Sequence, residues 1–369
     1  MINVLSSSSA DSLSKKALLE AAVMKARLEI PERFTHYCIP TSDSVAIEAA
    51  TLNERLGINA MSLNLVSTLF NKALAYQFAK ERGLEIPDWI VPMNKADLLN
   101  SGLKGRVIVK PTTSSGAFCN EPWGYKVFDS VFAFSEWLEH SQQAAHFWLQ
   151  QQTPNPNYGR FLVMQYHDNP DIWGIHVLKT FDGAVRIFGR CYMHCVEPTY
   201  WIQFCLFNPT HIGWAILEEK LRHLASAAEF GAGLLYVQAI DVGGKLMPID
   251  FNLRHGTLFA QYCEAREPDW FSRYLESLLG IRHAPLEVRP KHFCIGKIPL
   301  EKLARGVIPD LGRHPAIFPG PSSRAFDSSR PYDVAYKDYL FISEAQQETD
   351  CMRYWQEYRI ETEVLNGAV

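Results

Sequence analysis

The chain lacks the features that mark several large classes of protein. No apolar stretch approaches the ~18 residues that a membrane span requires, and the opening Met1-Ile2-Asn3-Val4-Leu5-Ser6 has no basic region followed by an apolar core. A cytoplasmic location is the expectation. Basic excess is missing too: 36 Lys and Arg stand against 40 Asp and Glu, a net charge of −4. Binding to nucleic acid or to a membrane surface is therefore not expected. The eight cysteines, at 38, 119, 191, 195, 205, 263, 294 and 351, are too scattered for the framework of a small disulfide-rich domain. Cys191, His194 and Cys195 are soft zinc ligands in one stretch, but no matching second pair stands elsewhere, so reduced thiols are expected rather than zinc. Three catalytic signatures are absent as well: G-x-x-x-x-G-K-[ST], H-E-x-x-H and G-x-S-x-G. There is no internal repeat.

What remains is an ordinary globular composition, 47% hydrophobic and 21% charged over 369 residues, enough for two or three domains and a sizeable core. Its most informative stretch runs from Val237 to Arg254. Apolar and β-branched residues flank Gly243-Gly244, which predicts two strands joined by a tight turn. Alternation on the second strand sends Ile249, Phe251 and Leu253 one way and Asp250, Asn252 and Arg254 the other. Gln238 joins the polar face if the hairpin pairs across the glycines; Asp241 falls opposite it and is assigned to structure. A carboxylate, amide oxygens and a guanidinium on one surface suit a hard divalent cation and phosphoryl oxygens. A solvated hairpin face is the rival reading.

Two upstream segments favour the first. Arg106 to Val109 reads as a buried strand that delivers Lys110, followed by the small polar loop Thr112-Thr113-Ser114-Ser115-Gly116. Such a loop can wrap phosphates with backbone N–H groups. Asn71-Lys72 opens a helix that runs to Gly83, ahead of Pro87. A cation at a helix start opposes the helix dipole, so Lys72 wants another reason to be there.

Lys72 with Gly83 eleven residues later, strand-end Lys110, and Gln238 followed twelve residues on by Asp-x-Asn-x-Arg together resemble the ATP-grasp superfamily. The likeness is to its carboxylate–amine ligases and biotin-carboxylase-like branch, over roughly residues 45 to 285. It implies an α/β (α+β) ATP-grasp fold: a short Rossmann-like preliminary domain over 1–92, an ATP-grasp domain over 93–285 with a lid subdomain at 93–165 and a large subdomain at 166–285, and a C-terminal lobe over 286–369.

The resemblance also implies chemistry. ATP and Mg²⁺ (or Mn²⁺) are the cofactors. Lys72, Lys110, Ser114, Ser115 and Gly116 then meet phosphates. Gln165, Tyr166 and His167 form the hinge whose backbone meets adenine; many relatives carry glutamate where Gln165 stands, which leaves Asp168 or Asp171 to hold ribose. Gln238, Asp250 and Asn252 hold metal, with Asp250 in place of the commoner glutamate. Arg254 clamps the transferring group, and Arg190 either holds a substrate carboxylate or pairs with an acid such as Glu197. The implied reaction joins a small carboxylate to an amine, an amino acid among them, through an acyl phosphate with release of ADP and phosphate; a homodimer is compatible. A bicarbonate-dependent carboxylase and a degenerate ATP-binding protein are the alternatives. The aromatic stretch Cys191 to Phe207 then borders the acceptor substrate or packs the core.

Local patterns complete the expectations. Met1 to Leu5 and His36 to Ile39 read as short strands, and Ser7 to Arg27 and Ser44 to Leu56 as helices, the second stopped by Gly57. Pro92 to His140 reads as strand, loop, strand and helix. Phe161 to Tyr166 is a strand, and Gly174 to Thr180 pairs with Ala184 to Tyr192 about Asp182-Gly183. Leu217 to Phe230 is a helix capped by the glycines at 231 and 233. A strand at Tyr339 to Ile342 and a helix from Glu344 to about Tyr358 close the chain.

Overall fold

The computed structural model describes residues 38–40, 45–112, 125–140, 160–168, 171–196 and 201–254, positions 274, 276 and 278, and the strands at 292–299, 316–319 and 338–345. The expected strand at 1–5, the helix at 7–27 and the loop residues Ser114, Ser115 and Gly116 lie outside the described residues. Three helices come first: α1 (Ala46–Arg55), α2 (Leu63–Phe70) and α3 (Lys72–Glu81). Gly57 ends the first as expected, with φ +71° that only glycine adopts cheaply. Residues 38–40 carry no strand. Instead, the buried Asn53 side chain bonds both the N–H and the C=O of Cys38.

Asn71 is the junction that matters. It ends α2 in an extended conformation, and its Oδ1 accepts from the N–H groups of Ala73 and Leu74, capping α3. The chain therefore turns and restarts as a helix at Lys72. The Lys72 N–H donates to Thr112 O at 2.7 Å, which ties the start of α3 to the end of the strand that carries Lys110.

A small antiparallel sheet follows, in the order β1 (Trp89–Ile90), β4 (Phe161–Gln165), β2 (Val107–Pro111), β3 (Lys126–Phe128), with α4 (Lys95–Leu99) and α5 (Val131–His140) beside it. Alternation sorts its two faces. Val107, Val109, Phe161 and Val163 pack with Leu98, Phe134 and Leu138. Ile108, Leu162 and Met164 face the opposite way, into the core shared with the large sheet, and Lys110 shares their parity.

The large sheet has eight strands, all antiparallel to their neighbours. Beside β5 (Ile172–Lys179) run β6 (Val185–Val196) and then β7 (Trp201–Phe207) on one side, and β8 (Gly233–Val242) and then β9 (Lys245–Asn252) on the other. Next to β7 come β10 (His292–Pro299), β12 (Asp338–Ala345) and β11 (Ala316–Pro319). The helix expected from Glu344 is corrected at its start, since Glu344 and Ala345 pair in register with Phe293 and His292. Helix α6 (Trp214–Ser226) packs Trp214, Leu217, Leu221 and Leu224 into the main core with Ile175, Val177 and Val237. It ends at Ser226, so Gly231 is not its cap. A Cβ on Gly231 would lie 2.0 Å from Ala60 O. Close backbone approach, beside a parallel bridge between Ala60 and Ala232, is what that glycine permits. No helix of the described residues is long and apolar enough to cross a membrane.

Candidate active site

The expected hairpin forms, with Gly243 and Gly244 at φ +61° and +85° and Gln238 directly opposite Asp250. One feature of it went unread in the sequence. Gln238 pairs with Asp250 while Ala239 pairs with Pro248, so Ile249 is an extra residue without a counterpart, a β-bulge. The bulge changes the parity of the strand. Leu246 before it and Ile249, Phe251 and Leu253 after it all reach the core, and Asp250 and Asn252 turn to the other side. It also takes the Ile249 carbonyl out of the ladder. That oxygen accepts from Tyr76 Oη at 2.5 Å and from Lys110 Nζ at 3.2 Å.

Three elements thus converge. Lys72 at the start of α3 places Nζ 2.6 Å from Asp250 Oδ1, and Lys110 at the end of β2 reaches the adjacent carbonyl. Lys110 is only 6% exposed. Burial lowers its pKa to about 8, Asp250 pulls it back up, and Lys72 pushes it further down. Burial raises the Asp250 carboxyl, but Lys72, Lys110 and Arg254 outweigh it, so the group stays below its ordinary range. Tyr76 is fully buried, and burial together with the Asp250 charge holds its phenol protonated. One carboxylate here faces three cations. Among the described residues this cluster carries positive charge in excess, arranged around a hard oxygen ligand. Asn252, 8% exposed, and Gln238 supply amides on the same face. Arg254 lines a cleft with Cys38, Ala46, Ala50, Asn53 and Leu253.

The structure also separates residues that the sequence reading had grouped. Gly174 stands opposite both Gln238 and Cys191, and Ile175 stands opposite both Val237 and Arg190. Directly opposed residues share a face, so Arg190 lies on the α6 side, away from Asp250. There it forms an ion pair with Glu218 and sits over the Trp214 ring at 5.7 Å. Of the two expectations for Arg190, the contact seen is the pairing with an acid, here Glu218 of α6. Asp171 has partners on this face as well. Its two carboxylate oxygens meet Tyr192 Oη at 2.7 Å and His194 Nδ1 at 2.8 Å, on the face where Trp173 packs against Trp214. Asp168, the other acid considered for ribose, pairs with Arg106 at 2.9 Å.

At the hinge, the Gln165 amide bonds Lys104 O at 2.7 Å, Arg106 O at 3.2 Å and Lys104 N at 3.0 Å. The Tyr166 N–H donates to Arg106 O, and the Arg106 guanidinium covers its ring at 4.5 Å. His167 follows, half-buried. Gln165 therefore staples the preceding segment to β4. Within the aromatic stretch, Cys191, Met193, Cys205, Leu206 and Phe207 are buried and Tyr192 is half-buried; the side chains of 195–204 lie outside the described residues. Tyr76 and the Ile249 carbonyl are the functional groups that sequence reasoning missed; Tyr76 lies one helical turn beyond Lys72, a spacing that shares a helix face.

No protein-family model matches the chain, and no curated protein matches it by sequence. Solved structures do match. The L-amino acid ligase of Bacillus licheniformis aligns at TM-score 0.62 and 13% identity, over 94% of this chain and 84% of that one. The chain has the ATP-grasp fold. Campylobacter jejuni biotin carboxylase aligns at TM-score 0.63 and 13% identity over 95% of this chain and 80% of its own. An N5-carboxyaminoimidazole synthetase from Staphylococcus aureus, complexed with ADP, aligns at TM-score 0.62 and 11% identity over 86% and 79%. At these identities the likeness speaks for the ATP-grasp architecture alone.

Proposed function

We propose that the chain is an ATP-dependent carboxylate–amine ligase, forming an amide or peptide bond through an acyl phosphate with release of ADP and phosphate. The observation that carries this reading is the convergence of Lys72, Lys110 and Arg254 around Asp250. The donor set fits a nucleotide polyphosphate with Mg²⁺: hard oxygens on Asp250, Asn252 and Gln238 for the cation, and ammonium groups for the phosphates. When bound, Mg-ATP supplies the phosphoryl group that activates a carboxylate. Phosphoryl transfer is mostly positioning and charge neutralisation, which the residues of this face perform without a covalent nucleophile. Lys110, buried and aimed from a rigid strand, would neutralise phosphate charge; Asp250 would hold the cation, and Lys72, paired with Asp250 here, would serve the phosphates. Arg254 orients the substrate carboxylate in the cleft beside Ala46, Ala50 and Leu253.

The test is an ADP-release assay across amino acids and small carboxylates with Mg-ATP. Amide, ADP and inorganic phosphate appearing together support the reading. Pyrophosphate in place of phosphate overturns it, as adenylation would then be the activating step. ADP released with bicarbonate alone moves the assignment to a carboxylase, and ATP bound without turnover under every mixture moves it to a binding protein.

A further inference from the structure

An amide offers an oxygen on one side and an NH₂ on the other, and only the oxygen serves a cation. Gln238 therefore has a right and a wrong orientation. Tyr236, two residues earlier on the same face of β8, selects between them. Its hydroxyl donates to Met193 Sδ at 3.5 Å, so what it offers Gln238 is a lone pair, and Gln238 Nε2 donates to it at 3.4 Å. With the NH₂ group anchored there, Oε1 is left on the other side of the amide.

The phenol is built into this position. A Cβ on Gly174 would lie 2.8 Å from both the Tyr236 ring and its hydroxyl and 2.6 Å from Cys191 Sγ, so only glycine leaves room for the ring to cross β5. The ring stacks on His176 with centroids 4.3 Å apart and planes 16° from parallel. It is 3% exposed.

We propose that Tyr236 is a positioning residue that fixes the Gln238 amide with its oxygen toward a divalent cation held opposite it by Asp250, a role that rests on the ligase reading of this face. Outer partners of metal ligands typically matter about 10- to 100-fold in affinity. The experiment is Mn²⁺ titration of the full chain with ADP present, read from the electron paramagnetic resonance signal of the free ion. Gln238→Ala is expected to weaken binding at least about tenfold, and Tyr236→Phe about tenfold. In a Gln238→Glu background the same Tyr236→Phe change is expected to shift affinity less than about twofold, because a carboxylate presents oxygen on both sides. Phe keeps the ring that stacks on His176, and general damage to the site would weaken both backgrounds alike. Gln238→Ala without effect removes the residue from the cation site and with it the ligase reading of this face. A weakened Gln238→Ala with an unaffected Tyr236→Phe, or an equal loss in both backgrounds, overturns the positioning role alone.

Discussion

The two faces of the eight-stranded sheet carry similar side chains and dispose of their charge in opposite ways. On the α6 face the ionisable groups come in pairs: Arg190 with Glu218, His194 with Asp171, His211 with Asp241 at 3.3 Å. On the other face, among the described residues, Asp250 meets Lys72 directly, and Lys72, Lys110 and Arg254 all lower its pKa. Of these contacts, Arg190 with Glu218 ties α6 to the sheet, and each acid has its basic partner beside it. An unbalanced, partly buried cluster is costly to keep and makes sense where an anion completes it. The comparison teaches that a carboxylate or guanidinium on a strand says little about function until its neighbours' charges are summed.

Removing members of the unbalanced cluster should have the largest effects. Lys110→Ala and Asp250→Ala are each expected to cut ADP formation by about 10² to 10³ or more, as groups aimed at transition-state charge typically do, with circular dichroism unchanged. Near-normal turnover in either would make this face as inert as the other.

Lys110 should also show the cost of the imbalance. Its folded pKa, about 8, lies below the ordinary 10.5, so the folded state binds this proton more weakly. The penalty is fully present below pH 8 and is relieved as pH rises toward 10.5. Lys110→Met is therefore expected to stabilise the nucleotide-free protein at pH 7 by about 1–4 kcal/mol in urea unfolding, and to lose that advantage above pH 10. Destabilisation at pH 7 would mean that the hydrogen bond to Ile249 O outweighs the desolvation.

A smaller effect sharpens the role of Lys72. It occupies the Asp250 carboxylate as a cation would, so Lys72→Met should tighten Mn²⁺ binding a few-fold without nucleotide while weakening ATP. Weaker Mn²⁺ binding in that variant would show that the ion pair organises Asp250 instead of competing for it. Smallest of all, Arg190→Ala on the balanced face should leave turnover within about twofold and lower unfolding free energy by about 1 kcal/mol. Loss of turnover there would restore Arg190 to the site.

How legible all this was in the sequence depended on distance along the chain. The hairpin, the Lys110 strand and the helix opening at Asn71 are local patterns, and alternation within β9 put Asp250 and Asn252 on one side correctly. What alternation cannot give is the register between strands. Arg190 stayed open between substrate and an acid partner because nothing in one strand says that its opposite number on β5 is Ile175, in line with Val237. The bulge at Ile249 was equally silent, being a slip of the backbone ladder and not a property of isoleucine. Tyr236 needed a glycine on a neighbouring strand before its hydroxyl had anywhere to go.

The most direct test of the central claim, that the unbalanced face is completed by a nucleotide polyphosphate, is calorimetric titration of a non-hydrolysable Mg-ATP analogue at pH 8.5 in buffers of differing ionisation enthalpy. With Lys110 lowered to about 8 in the free protein, phosphate binding should recharge it and take up a fraction of a proton. The pKa of Asp250 is lowered and that of Tyr76 raised, so neither exchanges a proton at this pH, and Lys110→Met should abolish the uptake and weaken binding. Binding with no proton uptake, at an affinity that Lys110→Met leaves unchanged, would contradict the account.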